Sequence, residues 1–316
     1  MADIRKFNSI LNAKATGFDI LRLGESRYYP GSNALIPLKQ DLAEFASKKD
    51  FFAFCESLQR ELLSKTISKE NFIAKGAQGK VYRVPGTNCA VKVPLDCVSI
   101  PVKPISKNIS PQEKTNYVIA KIGENVDIIK FIDGKNVHQL VKRGIPVSKT
   151  VLNMPHEAYT NYIEKLMDAA KVNMFHDFGG ANTLLNEKYR FMVPIDFHSS
   201  LTRKANPVED LYFQFGNYMK NAREENTLLA KSALAFVDMI RTNKINSALM
   251  SKTEVSLSKV EDCFMPQDRA FFYEIESKLK KIAGLKRLES ISPDVSKSLE
   301  EEILKFNDYI IGILIN

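Results

Sequence analysis

The most informative part of this chain is Phe175-His176-Asp177-Phe178-Gly179-Gly180-Ala181-Asn182-Thr183-Leu184-Leu185, followed by Val193-Pro194-Ile195-Asp196-Phe197. Residues 183–185 and 190–195 are short apolar runs on either side of a polar turn, which predicts a β-hairpin. Asp177 and Asn182 lie five residues apart, and Asp196 lies nineteen beyond Asp177, at the end of the second strand. Two carboxylates and an amide at the ends of one hairpin can bind a hard divalent cation such as Mg2+ and accept a proton from a hydroxyl nucleophile. Plainer roles exist for each residue. Gly179-Gly180 announces a turn, where Asp177 and Asn182 are at home, and Asp196 can serve as a strand-end cap.

Upstream, strands are predicted at 72–75, 80–84 and 89–93, the last two joined by the turn Pro85-Gly86-Thr87-Asn88. Gly76-Ala77-Gln78-Gly79-Lys80-Val81 joins the first two, and its glycines would let backbone amides approach phosphate oxygens. Two glycines are also common in any hairpin turn. Lys92 lies in the third strand between apolar neighbours, where an inward ammonium needs an anion. An edge-strand lysine turned to solvent is the alternative. Ser110-Pro111-Gln112-Glu113 opens a helix with a capping box and a proline at its first position, and this helix is predicted to end near Gly123. Two further strands are predicted at 128–132 and 138–142 around Asp133-Gly134. The first half of the chain thus reads as a five-stranded sheet with one helix inserted after the third strand.

The flanks are helical. Phe51, Phe54, Cys55, Leu58 and Leu62 share one face of an N-terminal helix. Tyr159, Tyr162, Ile163, Leu166, Met167 and Ala170 form a second stripe, and Asn206-Pro207-Val208-Glu209 caps a third helix continuing through Leu211, Phe215, Tyr218 and Met219. Phe271, Phe272, Ile275 and Leu279 form a last stripe, and residues 309–315 read as the buried end of a final helix, far too short to span a bilayer.

With 316 residues, 44% of them hydrophobic, the chain has enough apolar material for two lobes with real cores, which excludes disorder and a disulfide knot. Four scattered cysteines read as reduced thiols under cytosolic conditions, and four histidines form no helical ligand pair. The N-terminus shows no Sec-type signal. A net charge of +8 favours acidic partners. Nucleic acid ranks last among them, because the basic residues form no runs interleaved with aromatics.

Taken in order, glycine loop, strand lysine, helix glutamate, Asp177, Asn182 and Ile195-Asp196-Phe197 resemble the protein-kinase superfamily over roughly residues 70 to 240. The resemblance implies an α+β, bilobal protein-kinase-like fold, with a small antiparallel β-lobe carrying one helix and a larger, mainly helical lobe. It implies an N-terminal helical extension at 1–68, an N-lobe at 69–145, a C-lobe core at 146–245 and a C-terminal helical extension at 246–316. Gly76 and Gly79 match the second and third glycines of the phosphate loop, and Val81 matches the adenine-packing valine. Lys92 matches the ATP-phosphate lysine, with Glu113 as its ion-pair partner and Glu124 as the alternative. Asp177 matches the catalytic aspartate, and Asn182 and Asp196 match the metal ligands. ATP and Mg2+, with Mn2+ as a substitute, are the implied cofactors.

The departures are Ala74 for the first glycine, Phe175-His176 where kinases carry His and Arg, and His198 at the end of the Asp-Phe-Gly triplet. A short segment also leads from Asp196 to Asn206. The Pro194-Ile195-Asp196-Phe197 ending and this cut-down segment are most similar to the small effector kinases that enteric bacteria inject by type III secretion (OspG/NleH type), which implies delivery into a host cell and a host protein as substrate, and the +8 charge favours an acidic one. The expected activity is an ATP-dependent protein Ser/Thr kinase. The alternatives are a small-molecule phosphotransferase similar to the aminoglycoside and choline kinases, which share the pair Asp210-Leu211, and a pseudokinase scaffold.

Overall fold

The computed structural model describes residues 22–23, 26–27, 71–76, 79–83, 89–95, 105–106, 109–122, 125–176, 179–187, 190–199, 204–258, 260 and 269–315. The predicted helix around 51–62, the turn at 85–88, Glu124 and Asp177 lie outside them. The described residues through Asp133 belong to one compact unit and those from Gly134 to a second.

In the first unit, β1 (Arg22–Leu23) pairs with β2 (Ser26–Arg27). Next come β3 (Phe72–Lys75), β4 (Gly79–Arg83), β5 (Cys89–Pro94), β6 (Ile105–Ser106), α1 (Pro111–Thr115), β7 (Val118–Ile122) and β8 (Val126–Lys130). All six strands from β3 to β8 form one antiparallel sheet in the order β3-β4-β5-β8-β7-β6. Strand alternation sorts its side chains. Tyr82, Val91 and Ile128 are register neighbours and almost wholly buried, while Val81, Lys92, Asp127 and Lys121 form a row on the opposite face.

The helix predicted to run to Gly123 stops at Thr115. Its capping box forms as expected, but Tyr117 takes a left-handed backbone, φ 64°, and the β-branched Val118 and Ile119 enter strand β7 beside β8. The segment 138–142, predicted as a strand, is helical as part of α2 (Val137–Lys142). Asn136 caps it and Gln139 completes a capping box, so that Val137 and Leu140 face the core at helical spacing.

Beginning with β9 (Lys135–Asn136), the second unit is mainly helical: α2, α3 (Val147–Leu152), α4 (His156–Lys171), α5 (Pro207–Phe215), α6 (Ala222–Arg241), α7 (Ser247–Ser251), α8 (Arg269–Leu288) and α9 (Pro293–Ile315). Two small ladders interrupt the helices. β10 (Met174–His176) pairs with β13 (Phe197–Ser199), and β11 (Thr183–Asn186) pairs with both β12 (Phe191–Pro194) and β9. The expected hairpin at 183–195 is therefore present, and β13 is an additional strand. The α4 stripe is buried as read, and so are Leu211, Phe215, Phe272, Ile275 and Leu279. The chain is thus α+β, with a small antiparallel sheet and a helical body. No described helix is long and apolar enough to cross a membrane.

Candidate active site

Two groups of candidate residues stand out, one in each unit. In the helical unit, the paired ladders bring Asn182 and Asp196 to the same edge. Asn182 immediately precedes β11, Asp196 lies between β12 and β13, and the Ile195 N–H donates to the Asn182 carbonyl at 2.8 Å. That carbonyl also accepts from His176 Nε2 at 2.7 Å. His176 is buried between Tyr162 and Phe197, at ring distances of 6.1 and 5.6 Å, and so acts inside the fold. Burial keeps the Tyr162 phenol neutral by raising its pKa, and its hydroxyl meets that of Thr183 at 3.1 Å.

Asp196 adopts φ 63°, a left-handed conformation. Its carboxylate is partly exposed, with His198 Nε2 at 3.6 Å. One carboxylate and one side-chain amide at the same hairpin edge supply oxygen donors of the kind Mg2+ takes. The donor set therefore fits the ion.

Asp177 lies outside the described residues, but the backbone beyond it is firmly held. Gln214, buried on α5, clamps Gly179 from both sides: its Nε2 donates to the Gly179 carbonyl at 2.8 Å, and its Oε1 accepts from the Gly179 N–H at 3.3 Å. The Asn182 N–H closes the turn on the Gly179 carbonyl at 2.8 Å, and the Val137 N–H donates to the Gly180 carbonyl at 2.8 Å. A Cβ on Gly180 would lie 3.2 Å from His138 and 3.3 Å from the Tyr218 hydroxyl, which leaves little room for a larger residue. Sequence reasoning missed Gln214. Its available signal was a polar residue inside the apolar run Leu211-Tyr212-Phe213-Gln214-Phe215.

In the sheet unit, Gly79 begins β4 where a Cβ would meet the Val93 carbonyl oxygen at 2.6 Å, so close strand approach already requires glycine. The Gly76 N–H donates to the Gly79 carbonyl at 2.8 Å and is used within the turn. Val81 pairs with Lys92, and Lys92 pairs on its other side with Asp127. Glu113 binds Lys121 at 2.7 Å and accepts from the Ser110 N–H at 2.8 Å. These bonds, the Lys121 one foremost, hold the Glu113 carboxyl down at about 2. Burial pushes the Asp127 carboxyl up, while the ammonium groups of Lys121, with Nζ 3.7 Å away, and Lys92 pull it back. Asp127 was not among the sequence candidates.

No protein-family model and no curated protein matches the chain. Among solved structures, a choline/ethanolamine kinase family protein from Mesorhizobium loti aligns at 11% identity with a TM-score of 0.24, over 79% of this chain and 99% of that one.

Proposed function

We propose that this chain is a kinase-type phosphotransferase that uses ATP and Mg2+ to phosphorylate the hydroxyl of a small molecule. The convergence of Asn182 and Asp196 on one hairpin edge, with Asp196 in a left-handed backbone, carries this reading. Asn182 and Asp196 would hold the ion, which when bound neutralises charge on the phosphoryl oxygens. Asp177 takes the proton of the acceptor hydroxyl as its oxygen bonds to the γ-phosphorus and the bond to the β,γ-bridging oxygen breaks, releasing ADP. Lys92 sets the phosphates of ATP. The Gln214 clamp holds the backbone at Gly179, two residues beyond Asp177.

The small acceptor is supported by a short connection, residues 200–206, that leads from β13 to α5 with its pair Asp210-Leu211, the arrangement the chain shares with small-molecule phosphotransferases. Purified chain, incubated with γ-labelled ATP and Mg2+ beside an Asp177→Asn variant, tests the proposal. Label entering small alcohols, and not in the variant, is the expected result. Label entering proteins, the chain itself included, would make it a protein Ser/Thr kinase. No transfer together with no ATP-induced thermal shift would leave an interaction scaffold.

A further inference from the structure

We propose that Asp127, delivered by strand β8, is the carboxylate that positions Lys92 toward the nucleotide, so that sheet register and not a movable helix sets this lysine. The proposal rests on the phosphotransferase reading. Lys92 and Asp127 are directly opposed across the antiparallel β5–β8 ladder. Directly opposed residues project from the same face with Cβ atoms about 4.5–5.5 Å apart. Lys121 faces Asp127 from β7 on the other side, and Glu113 lies beyond it, so Lys92, Asp127, Lys121 and Glu113 form a row of alternating sign.

Glu113 is committed elsewhere. One of its oxygens binds Lys121 and the other closes the capping box of α1, a helix of only five residues. Among the described residues of the sheet, Asp127 is the carboxylate that stands opposite Lys92 in register. Its placement is unfavourable for stability alone, since burial raises its pKa even with two ammonium groups nearby. Costly ionised groups of this kind concentrate at functional sites. A cross-strand pair also differs from a helix-borne one in what could disrupt it. The ladder that also pairs Val91 with Ile128 and Ala90 with Ile129 keeps the Cβ atoms of Lys92 and Asp127 side by side, so their juxtaposition needs no activating event.

The test is a thermodynamic cycle in the full chain: Lys92→Met, Asp127→Asn and the double variant, each unfolded thermally without nucleotide and titrated with ATP and Mg2+. Coupled, non-additive shifts are expected without nucleotide. ATP affinity should fall about tenfold or more in each single variant and no further in the double. Asp127→Glu, which keeps the charge, should recover part of the ATP affinity, while Glu113→Gln should leave it within about twofold. Additive shifts, or wild-type ATP affinity in Asp127→Asn, would overturn the proposal. A coupled pair in a chain whose wild type does not respond to ATP would defeat the phosphotransferase reading itself, and with it the positioning role, leaving an ion pair of the sheet.

Discussion

Asp196 occupies a backbone region in which a Cβ is strained and Asp and Asn are the best tolerated non-glycine residues. Two substitutions there separate chemistry from folding. Asp196→Asn should abolish transfer with an unchanged unfolding midpoint, whereas Asp196→Ala should abolish transfer and also lose about 1 kcal/mol of stability. Paired activity and thermal-unfolding measurements check this, and a large collapse in the Asn variant would assign Asp196 a structural role. Gln214 is a different case because its amide satisfies both backbone groups of Gly179. Gln214→Ala should cost about 1–3 kcal/mol, because the Gly179 N–H loses this acceptor and the Gly179 carbonyl keeps the Asn182 N–H but loses its second donor. Under the proposed function it should also reduce kcat more than the ATP KM, since Gly179 lies two residues from the proposed base, Asp177. That Asn182 and Asp196 lie at one hairpin end was legible in the sequence, because the hairpin is a local feature and both residues flank it. Gln214 was not, because its partner is a backbone group thirty-five positions away.

Helix α1 shows how far local signals reach. Ser110, Pro111 and Glu113 announce its start, and that start is observed. Its end was missed, because Val118 and Ile119 suit a strand only once β8 lies alongside. Segment 138–142 was misread in the opposite sense: its short apolar alternation resembled a strand, while the Asn136-to-Gln139 capping box that makes it part of a helix went unread. Ser110→Ala should cost about 1 kcal/mol in thermal unfolding. Glu113 adds a pH signature. With its carboxyl held at about 2 against an ordinary 4.5, its stabilising contribution is complete above 4.5 and is lost as the pH falls through 2. The stability gap between wild type and Glu113→Gln should therefore be present at pH 7 and close on acidification towards pH 2, a trend that denaturant titrations at several pH values would follow.

The C-terminal helices are integral to the helical unit. Phe272, Ile275 and Leu279 of α8 and Phe306 and Ile310 of α9 belong to the same buried cluster as Tyr159, Tyr212 and Phe236. Each such side chain contributes roughly 1.5–3 kcal/mol on burial, so their joint loss exceeds the margin of a typical domain. A chain lacking residues 269–316 should show no cooperative unfolding transition by calorimetry, and Phe306→Ala alone should cost about 3–5 kcal/mol. The +8 surplus exceeds what one nucleotide site would use, and Lys286 shows where some cations go: it is buried on α8 against Asn243 and Glu289. Periodicity and capping motifs were enough to read the buried stripes of α4, α5 and α8, the hairpin at 183–195 and the strands β3, β4 and β5, because those features depend on neighbours a few residues apart. Strand order, the end of α1, the Gln214 clamp and the choice of Asp127 opposite Lys92 came only with the folded chain. Each depends on which distant backbone lies alongside, and pairing free energy across a sheet or a buried loop is not written in the spacing of either partner alone.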